Sequence, residues 1–149
     1  MEVQDWGGGL TAHEVAAIEK MKQTFSNKQQ NKPLKDFKEL KSIFPWKGYS
    51  GFRFADVRER KEGEFDLVVV THCNVLIVEL KHWNNEPVTN NGLHWYKGKQ
   101  DMGYSPVEIT RKKIYLLKKK LEEFRGKFSN STDKFPVPRI EFLVVMTGN

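Results

Sequence analysis

Apolar residues recur along this chain with two different periods. Val15, Ile18, Met21 and Phe25 are spaced by three and four, and Thr11 with Glu14 has capping-box spacing, which predicts a first helix over about residues 12–27. The polar run SNKQQNKP, residues 26–33, ends it. Leu34, Phe37, Leu40 and Phe44 suggest a second, short amphipathic helix before Pro45, Gly48 and Gly51 break the pattern. The period then becomes two. FRFADVRE, residues 52–59, alternates as a strand, and the charged run RERKEG turns the chain. Residues 65–71 and 75–81, rich in Val and Ile, read as two strands joined by a tight turn at His72 and Cys73. NNEP and TNNG are turn clusters around a short strand, and LHWYKG reads as another. Val107, Thr110, Ile114, Leu117, Leu121 and Phe124 return to helical spacing and predict a long helix to about residue 125, stopped at Gly126. STDKFPVP is a loop, and RIEFLVVMT is a final apolar strand.

The order is therefore helix, strands, long helix, strand. A helix of that length between apolar strands supplies the crossover that a parallel strand pair requires, so the fold class is α/β or mixed α+β. The chain has 149 residues, 38% apolar and 30% charged, enough for one domain with its own core. It stops at Gly148 and Asn149, directly beyond the last predicted strand. The expectation is a single domain over 1–149, the N-terminal part of a longer protein.

No run of about 18 apolar residues exists, and MEVQDWGGGLTAHE lacks the basic and apolar regions of a signal peptide. The expectation is a cytoplasmic chain with no membrane contact. A single cysteine excludes an internal disulfide framework, and the four histidines, His13, His72, His82 and His94, are too scattered for a structural zinc site. The net charge of +6 suits an anionic partner such as nucleic acid. It is concentrated in residues 111–127, where eight of seventeen are Lys or Arg. Arg111, Lys112, Lys118 and Lys119 are the candidate phosphate contacts of that run; a solvated helix face is the alternative.

Three charges in EGEFDLVVVTHCNVLIVELKHW, residues 62–83, interrupt strands that otherwise look buried: Asp66, Glu79 and Lys81. A turn centred between His72 and Cys73 places Thr71 opposite Asn74, Val69 opposite Leu76 and Asp66 opposite Glu79. Facing acids repel unless something sits between them, and a divalent cation fits that place. Glu79 and Lys81 share a strand face, so the lysine stands one step beyond the proposed ion. Hard, oxygen-preferring Mg²⁺ or Mn²⁺ suits two carboxylates completed by water and a phosphate oxygen. The structural alternative is a charged cluster at an exposed sheet end, with Lys81 simply paired to Glu79 or Asp66. Glu14 is a fourth candidate, because it falls within the apolar stripe of the first helix; it serves equally as the capping-box partner of Thr11.

These residues resemble the nuclease-related domain (NERD) family, a branch of the PD-(D/E)XK nuclease-like superfamily. GEFDLVVV followed by VLIVELKHW carries the resemblance: Asp66 is similar to the motif's metal-binding aspartate, and Glu79-Leu80-Lys81 to its (D/E)XK. Glu14 resembles the acidic residue on the first helix, and SPVEITRKK, residues 105–113, the opening of the helix after the hairpin. Ile109 stands where the family often has glutamine, and residues 31–60 look longer than the family core. The resemblance implies a central mixed sheet flanked by helices, a restriction-endonuclease-like core, and Mg²⁺- or Mn²⁺-dependent hydrolysis of phosphodiester bonds in DNA. It also implies fusion to helicase, kinase or DNA-binding modules. The competing expectation is an inactive nuclease-like module that binds DNA or a protein partner for an attached effector. Trp83, Trp95 and Tyr96 either stack on unpaired bases or close the edge of a core, the latter being the usual role of large aromatics; Lys97 and Lys99 are further phosphate candidates. Oligomeric state has no sequence signature here.

Overall fold

In a computed structural model the described residues are 1–7, 9–30, 46–56, 61–71, 74–83, 86–127 and 137–147. Their elements in chain order are β1 (Glu2–Asp5), α1 (Ala12–Gln30), β2 (Lys47–Asp56), β3 (Lys61–Val70), β4 (Asn74–Lys81), β5 (Val88–Asn90), β6 (His94–Lys97), β7 (Gln100–Tyr104), α2 (Pro106–Glu123) and β8 (Arg139–Met146). A single 3-10 turn, Arg125–Lys127, follows α2. The central sheet has the order β1-β2-β3-β4-β8, and β5-β6-β7 form a smaller sheet. β1 runs parallel to β2 and β8 parallel to β4, while β2-β3 and β3-β4 are antiparallel. This is a mixed α+β fold, the class the pattern predicts, with the central mixed sheet flanked by helices that the resemblance implies.

The two faces of the sheet bury different sets. Ile18 of α1 packs with Leu67, Val69, Val78 and Leu80. Leu117 of α2 packs with Phe65, Val68, Val75 and Ile77, supported by Ile114, Leu121 and Phe142. Alternation along β3 and β4 sends neighbouring residues to opposite clusters, as strand geometry requires. The parallel β4-β8 pair is joined through α2, the crossover expected from the chain order.

Several boundaries differ from the periodic reading. α1 continues through Gln30 instead of stopping at the polar run, and Val15 is exposed although it shares the spacing of Ile18 and Met21. The inward face of α1 runs instead through Ala17, Ile18 and Met21, and Leu10, just before the helix, packs on the same cluster. β2 begins at Lys47, so Gly48 and Gly51 lie inside a strand rather than breaking a helix. Gly48 is there because β1 approaches it closely: a Cβ would stand 2.8 Å from the Val3 side chain. β7 completes a small sheet of which the turn clusters announced only two strands. α2 ends at Glu123, leaving Phe124 exposed. The second helix expected near residues 34–44, and the turn residues His72 and Cys73, lie outside the described residues. No described helix is long and apolar enough to cross a membrane.

Candidate active site in the fork between β3 and β4

The β3-β4 ladder has the predicted register: Val70 faces Val75, Val69 faces Leu76, Val68 faces Ile77 and Leu67 faces Val78. The Thr71 N–H donates to the Asn74 main-chain oxygen at 2.9 Å and fixes the closed end. The ladder then stops, one pair short of Asp66 and Glu79. From there β3 stays with β2, Phe65 facing Phe52 and Glu64 facing Arg53, while Glu79, Leu80 and Lys81 stay with β8. Strands that leave their shared ladder for different neighbours form a fork, and its mouth carries the three charges singled out in the sequence.

A kink in β3 aims Asp66 into that fork. Phe65 and Leu67 are two residues apart yet belong to clusters on opposite faces of the sheet, so alternation fails at Asp66. Gly51, between the residues that pair with Phe65 and Leu67, has a φ of 59°, a left-handed conformation that suits glycine. The Leu80 N–H, left without a ladder partner on β3, donates instead to Asp66 Oδ2 at 2.6 Å. Burial is the main reason the Asp66 carboxyl is pushed up from its ordinary 3.8 to about 6. The Leu80 N–H and Lys81 pull it down, while the charges of Glu79 and Glu14 push it up.

Glu79 is only 5% exposed and is held by two ammonium groups. Lys81 Nζ donates to its Oε1 at 3.0 Å. Lys113 Nζ, from α2, reaches Oε1 at 3.3 Å and Oε2 at 3.2 Å, and also donates to the Glu64 main-chain oxygen at 2.9 Å. Its ammonium lies 5.8 Å from the centre of the Phe65 ring. The Lys81–Glu79 pair anticipated as a surface alternative therefore exists, but at a buried carboxylate rather than an exposed sheet end.

Lys113 was not among the basic residues singled out in the sequence, although the signal was present. With Leu117 at 0°, Thr110 falls near 20°, Leu121 near 40° and Lys113 near −40° at about 100° per residue. A lysine bordering an apolar stripe needs an anionic partner, and Glu79 is that partner.

Glu14 takes its anticipated capping-box position. Its Oε2 accepts the Thr11 N–H at 2.7 Å, and its own N–H lies 3.4 Å from Thr11 Oγ1, so the capping box is formed. Its charge also acts on Asp66. Acids thus approach the fork from three elements. Beside it, the His13 and His82 rings stack at 3.7 Å, and His82 Nδ1 lies 3.2 Å from Thr147 Oγ1. His82 is half-buried.

Among the described residues no group of three or more His, Cys, Asp or Glu side chains forms a ready-made metal shell. The fork offers the carboxylates of Asp66 and Glu79 as two oxygen donors. Such a pair suits Mg²⁺ or Mn²⁺, which keep several waters and take one or two carboxylates together with phosphate oxygens. The Glu79 charge, a smaller cause than burial of the raised Asp66 carboxyl, is the second point of fit, because a cation between the acids would relieve it.

The basic helix divides by face. Lys112, Lys113 and Lys119 line a cleft of about 670 Å³ with Glu62, Tyr115 and Leu116. Arg111 is paired to Glu108, and Lys118 is exposed without lining this cleft. Trp83 packs edge-on against Trp95 at 6.0 Å, both half-buried, which supports the core-closing role for those rings; the Tyr96 hydroxyl accepts from Asn91.

The family model described as the nuclease-related domain matches residues 27–147. The match spans more than half of the chain, which belongs to the nuclease-related domain family. It contains Asp66, Glu79, Lys81 and Lys113 and begins after Glu14, so Glu14 is tied to the site by its placement on α1. No curated protein and no solved structure matches the chain.

Proposed function

We propose that this nuclease-related domain is a Mg²⁺- or Mn²⁺-dependent DNA endonuclease domain that hydrolyses phosphodiester bonds at the β3-β4 fork. One observation carries the reading: the fork brings Asp66, Glu79 and Lys81 together at a partly buried opening, with a lysine-lined cleft alongside. Asp66 and Glu79 are the residues that would hold the cation. When bound, it polarises the phosphate and makes water a better nucleophile near neutral pH. The chain's own groups do the rest. The Leu80 N–H fixes the direction of Asp66, Lys81 Nζ orients the attacking water or offsets charge building on the phosphate, and Glu14 adds negative potential from α1. Lys112 and Lys119 face the substrate backbone across the cleft, with Arg111 and Lys118 as outlying contacts. A cytoplasmic location and an attached helicase, kinase or DNA-binding module belong to the same proposal.

The test is a cleavage assay on supercoiled, linear and single-stranded DNA, with and without Mn²⁺, comparing the parent with Lys81→Ala. We expect metal-dependent cleavage in the parent and none in the variant, with unchanged thermal unfolding. Undiminished cleavage by Lys81→Ala would remove that residue from the mechanism.

The second reading, a DNA- or protein-binding module without turnover, draws on the two lysines that already neutralise Glu79. It predicts salt-sensitive DNA binding and no cleavage with any divalent metal.

A further inference from the structure

Glu79 is surrounded by more positive charge than its role as a cation ligand requires. Lys81 contacts one of its oxygens; Lys113 contacts both. Lys113 comes from a different element, 34 residues further along the chain, and a main-chain oxygen of β3, that of Glu64, fixes it as well. Its ammonium therefore bridges the two arms of the fork, one contact on β3 and one on β4. Both carboxylate oxygens that Glu79 could offer a divalent ion are thus engaged by this one ammonium.

We propose that Lys113 is a resident counter-ion of the fork, a positioning residue that holds Glu79 in the metal-free protein and competes with the divalent cation for it. The inference rests on the reading of Glu79 as a cation ligand and adds a second condition to it: the metal enters only as Lys113 leaves. The side chain has somewhere to go, because the same residue lines the cleft that carries Lys112 and Lys119. A backbone phosphate in that cleft offers Lys113 a replacement anion. Substrate would thus release Glu79 to the metal, so cation and DNA should bind with positive cooperativity. The exchange needs no rearrangement of β3, β4 or α2, only a different rotamer of one long, partly exposed side chain.

The experiment measures Mn²⁺ binding to the full chain without DNA, from the loss of the free-Mn²⁺ electron paramagnetic resonance signal. It compares the parent, Lys113→Met, Lys113→Gln, Lys113→Arg and Glu79→Gln. Methionine keeps the length of the side chain against Phe65, and glutamine keeps a donor to Glu64; thermal unfolding of each variant identifies those that are folded.

The expected result is weak, Glu79-dependent binding in the parent, at least tenfold tighter binding in Lys113→Met and Lys113→Gln, and parent-like binding in Lys113→Arg, which retains the charge. Glu79-dependent binding that is unchanged or weakened in the folded neutral variants would overturn the counter-ion role and leave the metal site standing. Binding that persists in Glu79→Gln, or is absent from the parent and the neutral variants alike, would overturn the metal-site reading and the inference with it.

Discussion

Replacing Asp66 by Asn should make the metal-free protein more stable at neutral pH while removing a ligand from the proposed cation site. The cause is the buried charge. The folded protein keeps the Asp66 proton up to about pH 6, whereas an unconstrained aspartate releases it near 3.8. Between those values the folded state binds more protons than the unfolded one, so Asp66 lowers stability as pH rises and its full penalty is present above about 6. At about 1.36 kcal/mol per pH unit the interval corresponds to ~3 kcal/mol. Solvent screening of a partly exposed carboxylate reduces this, and we expect about 1–2 kcal/mol. Asparagine keeps an oxygen for the Leu80 N–H and carries no charge to repel Glu79 and Glu14. The assay is urea unfolding of parent and Asp66→Asn in EDTA at several pH values from 4 to 8. The stability difference should be small at the acidic end and grow to its plateau above pH 6. A variant less stable than the parent at pH 7, or a difference that does not change with pH, would refute the account of Asp66 as a desolvated, repelled charge.

Three further outcomes follow from the same geometry. Glu14→Gln keeps the capping-box geometry, because glutamine also accepts the Thr11 N–H, but removes a charge that raises the Asp66 carboxyl; its titration midpoint, followed by carboxyl carbon NMR, should move below about 6 while the fold stays intact. Thr110 is fully buried in α2 and its hydroxyl has no hydrogen-bond partner among the described residues, so Thr110→Val should be neutral or stabilising by about 1 kcal/mol in urea unfolding; a loss larger than that would reveal a bonded hydroxyl. Lys112→Met with Lys119→Met should weaken DNA binding and reduce the magnitude of the slope of log affinity against log salt by about 2, since each phosphate contact contributes roughly 0.9; an unchanged slope would place the DNA elsewhere.

The hairpin was the most legible part of the chain because its constraints reinforce one another. A period of two, a short polar break and two buried runs permit few registers, and a slip by one residue would turn every apolar side chain of a strand to the other face. The long helix was legible for the same reason, with Thr110, Ile114, Leu117 and Leu121 committing it to one side. What the pattern hid came from tertiary approach. Gly48 looks like a helix breaker until β1 lies against it, and Val15 shares the spacing of Ile18 without sharing its burial. Asp66 was expected simply to face Glu79. The kink opposite Gly51, which turns it toward the Leu80 N–H, depends on β2, a strand outside the hairpin. Lys113 merged into a basic run because a sequence does not state which lysine of a helix meets a carboxylate from a distant strand.

The parallel pairing of β4 with β8 also sets an order of events during synthesis. Glu79 and Lys81 are made early, but the strand that flanks them on their paired side runs from Arg139 to Met146. At about 5–20 residues per second, translation takes several seconds to travel from Lys81 to Met146. Throughout that interval the half of β4 bearing the acid and the lysine has β3 diverging on one side and no neighbour on the other. A nascent chain therefore cannot complete the fork before β8 has been made, and the charged half of β4 stays open on that side until then.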